Sequence, residues 1–340
     1  VTLPPETVPA AGQWDAAVAA VRALGGDAEI QLVCHVSPDG DALGSMLGFG
    51  LGLRRLGYTR VRATFPGKFT VPTPYAELPG VDLLVPEADA YPAPALVLVF
   101  DVAGESRLGG LAARVAAAPV SVVLDHHASN TGFGTIRLVD PRAAATSVLA
   151  EQFVARLGVP LDAEIAECFY VALATDTGSF KFDMTTVAVH ELAARLIATG
   201  LRPGDISRRI FDSRPFGAMK LTGEVLGRAV LEPAAAGGRG LVWTYATLAD
   251  LARHDQPPYV LDTLIDPVRS VAEADVSVLV RQVAEREWAV SLRSKGAVDV
   301  SRLAVSQGGG GHRLAAGFTG FGEPRDVVDI VRRLLDDFLN

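Results

Sequence analysis

Eight acidic and imidazole side chains stand just beyond apolar runs: His35, Asp39 and Asp41 in HVSPDGD, Asp101 at the head of DVAGESR, Asp125, His126 and His127 in DHHASN, and Asp176 in ATDTGSF. Taken singly, an Asp after a strand is ordinarily a turn former or helix cap, and a pair of histidines can simply cap a strand. Five carboxylates on one rim are a different matter, because so much negative charge in a confined site is strongly unfavourable unless divalent cations offset it. Mixed carboxylate and imidazole ligands suit manganese, iron, cobalt or zinc better than calcium, which prefers oxygen alone. Two ions explain the count best. Asp39 and Asp41, separated by Gly40, can direct their carboxylates at neighbouring ions, and Asp101 is the candidate to bridge ions about 3.5 to 4 Å apart. Such a pair activates water near neutral pH and clamps the attacking and leaving oxygens of an in-line phosphoryl displacement, so the chemistry indicated is hydrolysis of a phosphate ester.

These residues need a scaffold that delivers them to one place. Short β-branched runs at residues 30–36, 95–100 and 120–124 alternate with helical patterns, the signature of βαβ units feeding a mostly parallel sheet. Each run ends in one of the polar clusters, so the clusters collect at the carboxyl edge, where such sheets bind ligands. Helical patterns follow at 143–157 and 162–174, and an amphipathic one at 187–200 is closed by Gly200 and Pro203. Residues 188–219 read as a helical connector between a catalytic domain at 1–187 and a second domain at 220–340. In the second domain, strands are expected at 239–245, 275–283 and 287–293, the last two as an antiparallel hairpin. The fold class is therefore α/β: a mostly parallel-sheet N-terminal domain plus a smaller α+β C-terminal domain. The glycine cluster of QGGGGHRLAAGF is too dense for a helix or strand interior and reads as close backbone approach to a ligand.

Composition bounds the partners. With 340 residues, 49% of them hydrophobic, the chain can build two cores. Its formal net charge of -8 repels long nucleic acid, so a nucleic acid partner must be short and held locally. Trp14, Trp243 and Trp288 are scattered rather than interleaved with basic residues and read as packing. The two cysteines, Cys34 and Cys168, lie in apolar runs and suit buried free thiols in a reducing compartment. No uncharged apolar stretch reaches the length of a membrane span, and the opening VTLPPETVPAAGQW lacks signal-peptide character. The expected setting is cytoplasmic, away from membranes. A homodimer is compatible with this size, although no apolar stripe in the sequence marks an interface.

The motifs together carry a resemblance. HVSPDGDALGS, the strand-end Asp101, the DHH of Asp125 to His127 and the Asp176 of ATDTGSF are similar to the four metal motifs of the DHH phosphoesterase superfamily. GGGGH at Gly308 to His312 resembles the mark of its type 1 DHH-associated C-terminal domain, and the resemblance spans residues 31–318. Length and domain pairing are most similar to the nanoRNase and oligoribonuclease A group, bifunctional with 3'-phosphoadenosine 5'-phosphate phosphatase. The resemblance implies that His35, Asp39 and Asp101 hold one manganese, and that Asp41, Asp101, His126 and Asp176 hold the other. It implies that His127 stands beside the scissile phosphate as proton donor or charge stabiliser, with Asp125 orienting the histidines. In the second domain it implies that Gly309, Gly310, Gly311 and His312 receive the terminal phosphate and base of a short substrate. Arg269, Arg293, Ser294 and Lys295 are the matching contacts.

The expected activity is hydrolysis of short oligoribonucleotides (nanoRNA) and of 3'-phosphoadenosine 5'-phosphate, with cyclic di-AMP or its linear product as a further candidate; long duplex nucleic acid is not expected. A manganese pyrophosphatase of family II is the alternative with a similar core, and the GGGGH motif argues against it. A catalytically inactive nucleotide-sensing module predicts at least one missing ligand, whereas His35, Asp39, Asp41, Asp101, His126 and Asp176 are all present. His190 and His254 have no companion carboxylate cluster and read as structural.

Overall fold

A computed structural model describes residues 8–339; residues 1–7, the start of the opening segment, lie outside the described residues. The chain divides into two compact units, the first ending at Ser213 and the second beginning at Arg214. In the first, strands β1 (Ile30–Val33), β2 (Val61–Thr64), β3 (Leu96–Phe100), β4 (Ser121–Asp125) and β5 (Ile136–Val139) alternate with helices α1 (Ala11–Arg22), α2 (Gly40–Arg55), α3 (Ala112–Ala117), α4 (Thr146–Arg156) and α5 (Ala163–Asp176). Helices α6 (Val187–Ile197) and α7 (Pro203–Ile210) follow. The strands form a sheet of order β2-β1-β3-β4-β5 in which every neighbouring pair is parallel.

Both faces of this sheet are covered, which is why its strands read as unbroken apolar runs. Leu32, Leu98, Phe100 and Leu124 point to one side, against Leu43 and Phe49 of α2, Phe153 of α4 and Phe169 of α5. Val97, Val99 and Val123 point to the other, against Leu108, Leu111 and Val115. Val189, Leu192, Ala193 and Leu196 of α6 join the first of these cores. The expected strand at 30–36 stops at Val33: Ser37 takes a left-handed φ of 54°, turning the chain away from the sheet beyond His35.

The second unit holds β6 (Val230–Glu232), β7 (Leu241–Ala246), β8 (Val276–Ala284), β9 (Glu287–Ser294), β10 (Gly310–His312) and β11 (Ala315–Phe321). Its helices are α8 (Phe216–Gly227), α9 (Ala235–Gly238), α10 (Leu248–Arg253), α11 (Ile265–Arg269), α12 (Val300–Ser306) and α13 (Pro324–Leu339). The sheet order is β10-β11-β9-β8-β7-β6, with β7 and β8 parallel and the other neighbours antiparallel. The β8–β9 hairpin is the one expected, turning through Glu285 and Arg286. Leu303 of α12 and Val327 of α13 pack on Val278, Val290 and Phe318, while Leu221 of α8 and Leu264 pack on Val242 and Leu279 of the opposite face.

The glycine cluster corrects an expectation, because Gly310–His312 is a short strand rather than strand-free chain. A Cβ on Gly309 would fall 2.1 Å from the Gly317 carbonyl oxygen, and one on Gly311 2.6 Å from that of Ala315. The close backbone approach that these glycines allow is thus of β10 to β11. Both cysteines are free and buried, and Trp14, Trp243 and Trp288 lie in the cores. His190 stacks on Phe180 with ring centroids 5.6 Å apart, and His254 Nε2 lies 2.7 Å from Glu224 Oε2. Among the described residues, no helix is long and apolar enough to cross a membrane.

Candidate metal centre

In an open parallel sheet, the crevice for ligands opens at the carboxyl ends of two strands whose crossovers run in opposite directions, here β1 and β3. The chain leaving β1 supplies His35, Asp39 and Asp41; Asp101 directly follows β3; Asp125 ends β4, with His126 and His127 next. Asp39 caps α2, its Oδ1 accepting from Ala42 N at 3.0 Å, and Asp41 lies in the first turn. Asp176 is the last residue of α5. Helices α2 and α5 meet through glycines spaced four apart on α2. A Cβ on Gly40 would lie 2.5 Å from Thr175 Oγ1, one on Gly44 2.4 Å from the Cys168 carbonyl oxygen, and one on Gly48 2.6 Å from the Phe169 ring. That spacing keeps one helix face bare.

Asp101 is the centre of the cluster. Its Oδ2 lies 3.4 Å from His35 Nε2, which is itself 3.8 Å from Asp39 Oδ1. Its Oδ1 lies 3.5 Å from His126 Nε2, which is 3.7 Å from Asp41 Oδ2 and 3.3 Å from Asp176 Oδ2. The two oxygens of one carboxylate therefore face two different ligand groups, and within each of the sets His35, Asp39, Asp101 and Asp41, Asp101, His126 the ligand atoms lie within 4.8 Å of one another. His35 Nδ1 is 2.9 Å from the Val36 carbonyl and His126 Nδ1 is 3.1 Å from that of Ala143. A carbonyl can only accept, so with Nδ1 protonated toward it each ring would turn its Nε2 lone pair to an ion once the second proton is displaced. Asp101 also holds a left-handed φ of 59°, an uncommon conformation for a residue with a Cβ and one that clusters at functional sites. The donor set fits two divalent cations sharing Asp101.

The electrostatics of the ion-free chain point the same way. Burial pushes the Asp101 carboxyl up, but His35, His127 and His126 outweigh it and hold it well below the usual carboxylate range. Burial, with Asp101 and Asp176 nearby, pushes Asp41 well above that range. Burial opposes the proton on His35, yet Asp101 and Asp39 raise it to about 9; burial likewise opposes the proton on His127, and Asp125 and Asp101 raise it to about 10. Protons on imidazoles occupy the role cations would take. Because both values exceed the unfolded value of about 6.5, the ion-free fold binds more protons than the unfolded chain above that pH. The stabilisation is complete below pH ~6.5 and is lost as pH rises through 9 to 10. Thermal melts of chelated protein should show a falling Tm across that window, and the rise in Tm on adding manganese should grow with pH; an ion-free Tm that climbs from pH 7 to 10 would contradict this.

Ser45, which closes the HVSPDGDALGS motif, and several residues to which the motif reading gave no role hold the candidate ligands in place. Thr146 N donates to Asp41 Oδ2 at 2.6 Å, Ser147 N to Asp41 Oδ1 at 3.2 Å and Ser45 Oγ to Asp41 Oδ1 at 2.8 Å, while Thr146 Oγ1 donates to Asp101 Oδ1 at 3.1 Å. The N-terminus of α4 is thus aimed at a ligand carboxylate. Asp125 is fully buried; its Oδ1 accepts from His126 N at 2.9 Å and faces His127 Nδ1 at 2.7 Å, and its Oδ2 accepts from Asn130 Nδ2 at 2.6 Å. Arg107 Nη2 lies 3.0 Å from His35 Nδ1, where its charge opposes the proton on that ring. Asn130 and Arg107 stand inside the polar clusters DHHASN and DVAGESR, which was the available signal; Thr146 and Ser147 showed only the ordinary start of a helix.

In the second unit, Arg293 on β9 pairs with Ala315 of β11, which pairs with His312 of β10, so Arg293 and His312 share a sheet face. Ser294 is fully buried on the opposite face, its hydroxyl donating to Asp275 Oδ2 at 2.9 Å and accepting from Gly296 N and Val298 N. Lys295 donates to the Val271 carbonyl. Those two side chains are engaged in the turn after β9 and do not join Arg293. Arg269 ends α11, which lies against β8 and β9.

Comparison with known proteins agrees with the geometry. Residues 29–173 match the DHH family, N-terminal domain, and residues 243–340 match the DHHA1 domain. The chain is 32% identical over 293 residues, 85% of its length and 83% of the relative's, to the bifunctional oligoribonuclease and PAP phosphatase NrnA of Thermus thermophilus. It is 26% identical over 306 residues, 88% of its length and 93% of the relative's, to a probable enzyme of the same name from Streptococcus mutans. The crystal structure of an exopolyphosphatase-related protein from Bacteroides fragilis has the same fold, with a TM-score of 0.85 at 24% identity over 98% of each chain. With two linked carboxylate and imidazole groups built around Asp101 and both domain types matched, this chain belongs to the DHH family of metal-dependent phosphoesterases, its DHH domain followed by a DHHA1 domain.

Proposed function

We propose that the chain uses two manganese ions to hydrolyse short oligoribonucleotides and 3'-phosphoadenosine 5'-phosphate, and that it acts on cyclic di-AMP or its linear product as well. The observation that carries this reading is the division of the Asp101 carboxylate between two ligand groups. In this reading His35, Asp39 and Asp101 hold one ion, and Asp41, Asp101, His126 and Asp176 the other. Two such ions, when bound, activate water and neutralise the charge that develops on the phosphoryl oxygens.

The chain's own groups complete the chemistry. Asp125 fixes His127 through Nδ1 and favours its protonated form, so His127 is suited to give a proton to the leaving oxygen or to stabilise its charge. Asn130 keeps Asp125 in place for that task, and Thr146 with Ser147 holds Asp41 against its neighbours. The names of the Thermus and Streptococcus relatives support the substrate class, and the net charge of -8 favours short substrates over long ones.

The test is a set of parallel assays with manganese on a diribonucleotide, 3'-phosphoadenosine 5'-phosphate, a cyclic dinucleotide and pyrophosphate. Turnover of the first two with little release from pyrophosphate is expected. Rapid pyrophosphate hydrolysis with inert nucleotides would overturn the reading in favour of a pyrophosphatase.

A further inference from the structure

The loop that follows β2 belongs to none of the metal motifs, yet it is built against the metal centre. Val33 of β1 is level with Thr64 of β2, and Cys34 N donates to the Thr64 carbonyl at 3.3 Å, so Phe65 stands one residue short of His35 on the same carboxyl edge. Beyond Phe65 the loop leans across the end of β1 toward the chain that follows Asp101. A Cβ on Gly109 would fall 2.9 Å from Pro66 Cβ, and one on Gly67 3.6 Å from the Val36 side chain. Gly67 N donates to Glu87 Oε2 at 3.3 Å, which ties the loop from its far side.

The loop carries a pair of stacked rings. Phe65 is buried, and Phe69 lies on it nearly parallel, with ring centroids 5.4 Å apart and planes 16° from one another. Phe69 keeps 39% exposure, and Val36, the residue after His35, keeps 38%. A single exposed apolar side chain is ordinary. Here the outer ring is fixed from below by a buried one, and the loop bearing it touches the neighbour of a candidate metal ligand. The chemistry of the adjoining centre decides what covers such a ring. A bare phosphate or pyrophosphate gains nothing from an aromatic face, whereas every nucleobase has a π-face that stacks on one. Lys68, exposed beside Phe69, suits an anionic ligand.

We propose that Phe69, backed by Phe65 and bordered by Val36, is a stacking shelf for the nucleobase of the nucleotide whose phosphate is hydrolysed, and that it favours purines, whose rings offer more area. The shelf lies wholly within the first unit; that its ligand is part of a substrate rests on the proposed function. Steady-state kinetics of the full chain with manganese test it on the dinucleotides adenylyl-adenosine and uridylyl-uridine. Phe69→Ala should raise KM for the adenine dinucleotide about tenfold, with a far smaller effect on kcat and a smaller rise for the uracil one. Phe69→Trp should keep the low KM, because indole stacks as well as phenyl, and it places a fluorescent ring on the shelf. Adenosine 5'-monophosphate should quench that ring saturably and ribose 5-phosphate should not, with wild type, whose own tryptophans lie in the cores, as the background. A wild-type KM for both dinucleotides in Phe69→Ala that melts show to be folded would overturn the shelf, as would equal quenching of Phe69→Trp by the two phosphates. Quenching by the adenine nucleotide alone, in a protein whose wild type hydrolyses no nucleotide with manganese, would instead refute the proposed function and leave the shelf standing.

Discussion

Asp101→Asn should abolish turnover of every phosphate ester and reduce metal binding, while the protein stays folded. Asp101 faces both groups of candidate ligands, so replacing its carboxylate would remove a ligand from both proposed ion seats at once. The loss in rate should exceed the roughly 10–100-fold typical of losing a residue that merely supports a ligand. Asparagine is the informative choice because it tolerates the left-handed backbone found at Asp101 (φ 59°). Asp101→Ala should share the catalytic loss and add about 1 kcal/mol of instability from that conformation. Asn130→Ala, which touches no proposed metal ligand and acts through Asp125 and His127, should keep its ions and lower kcat. Steady-state kinetics with metal analysis of the dialysed variants separates these outcomes; an Asp101→Asn enzyme with substantial activity would refute the bridge.

Gly44→Val should strongly destabilise the fold and weaken metal binding, although Gly44 has no side chain to offer an ion. Even a Cβ at that position would fall 2.4 Å from the Cys168 carbonyl oxygen and 2.9 Å from Ala172 Cβ, backbone and short side chain that cannot swing aside. Overpacking of this kind costs about 3 kcal/mol or more when the backbone must shift. The shift would separate α2 from α5, and with them Asp41 from Asp176, so metal affinity should fall together with stability. Gly52→Ala is the control: its Cβ would meet the methyl of Val154 at 3.2 Å, and the roughly 1 kcal/mol gained in helix propensity offsets that contact. Urea melts of both variants check the contrast, and a Gly44→Val protein as stable as wild type would show that the helices have room to spare.

The convergence of the candidate ligands was legible because parallel strands put all their carboxyl ends on one edge, so polar clusters that follow apolar runs meet whatever their distance in sequence. HVSPDGD, Asp101 and DHH needed no more than that rule. The supports were less legible. Thr146 and Ser147 reach Asp41 across more than a hundred residues, and nothing local in a helix start says which carboxylate it faces. The four-residue spacing of Gly40, Gly44 and Gly48 stands in the sequence but was not read as a packing face, because the partner α5 emerges only from packing. The glycine cluster at residues 308–311 was recognised as close backbone approach, but its pairing with β11 was not, since a glycine that lets a ligand in and one that lets a strand in look alike in sequence.

Whether two ions sit around Asp101 is decided most directly by elemental analysis of protein reconstituted with manganese and freed of excess metal. About two manganese ions per wild-type chain are expected, with a marked deficit in Asp101→Asn. Active wild-type protein that carries no transition metal, or an Asp101→Asn variant that retains the full complement, would contradict it.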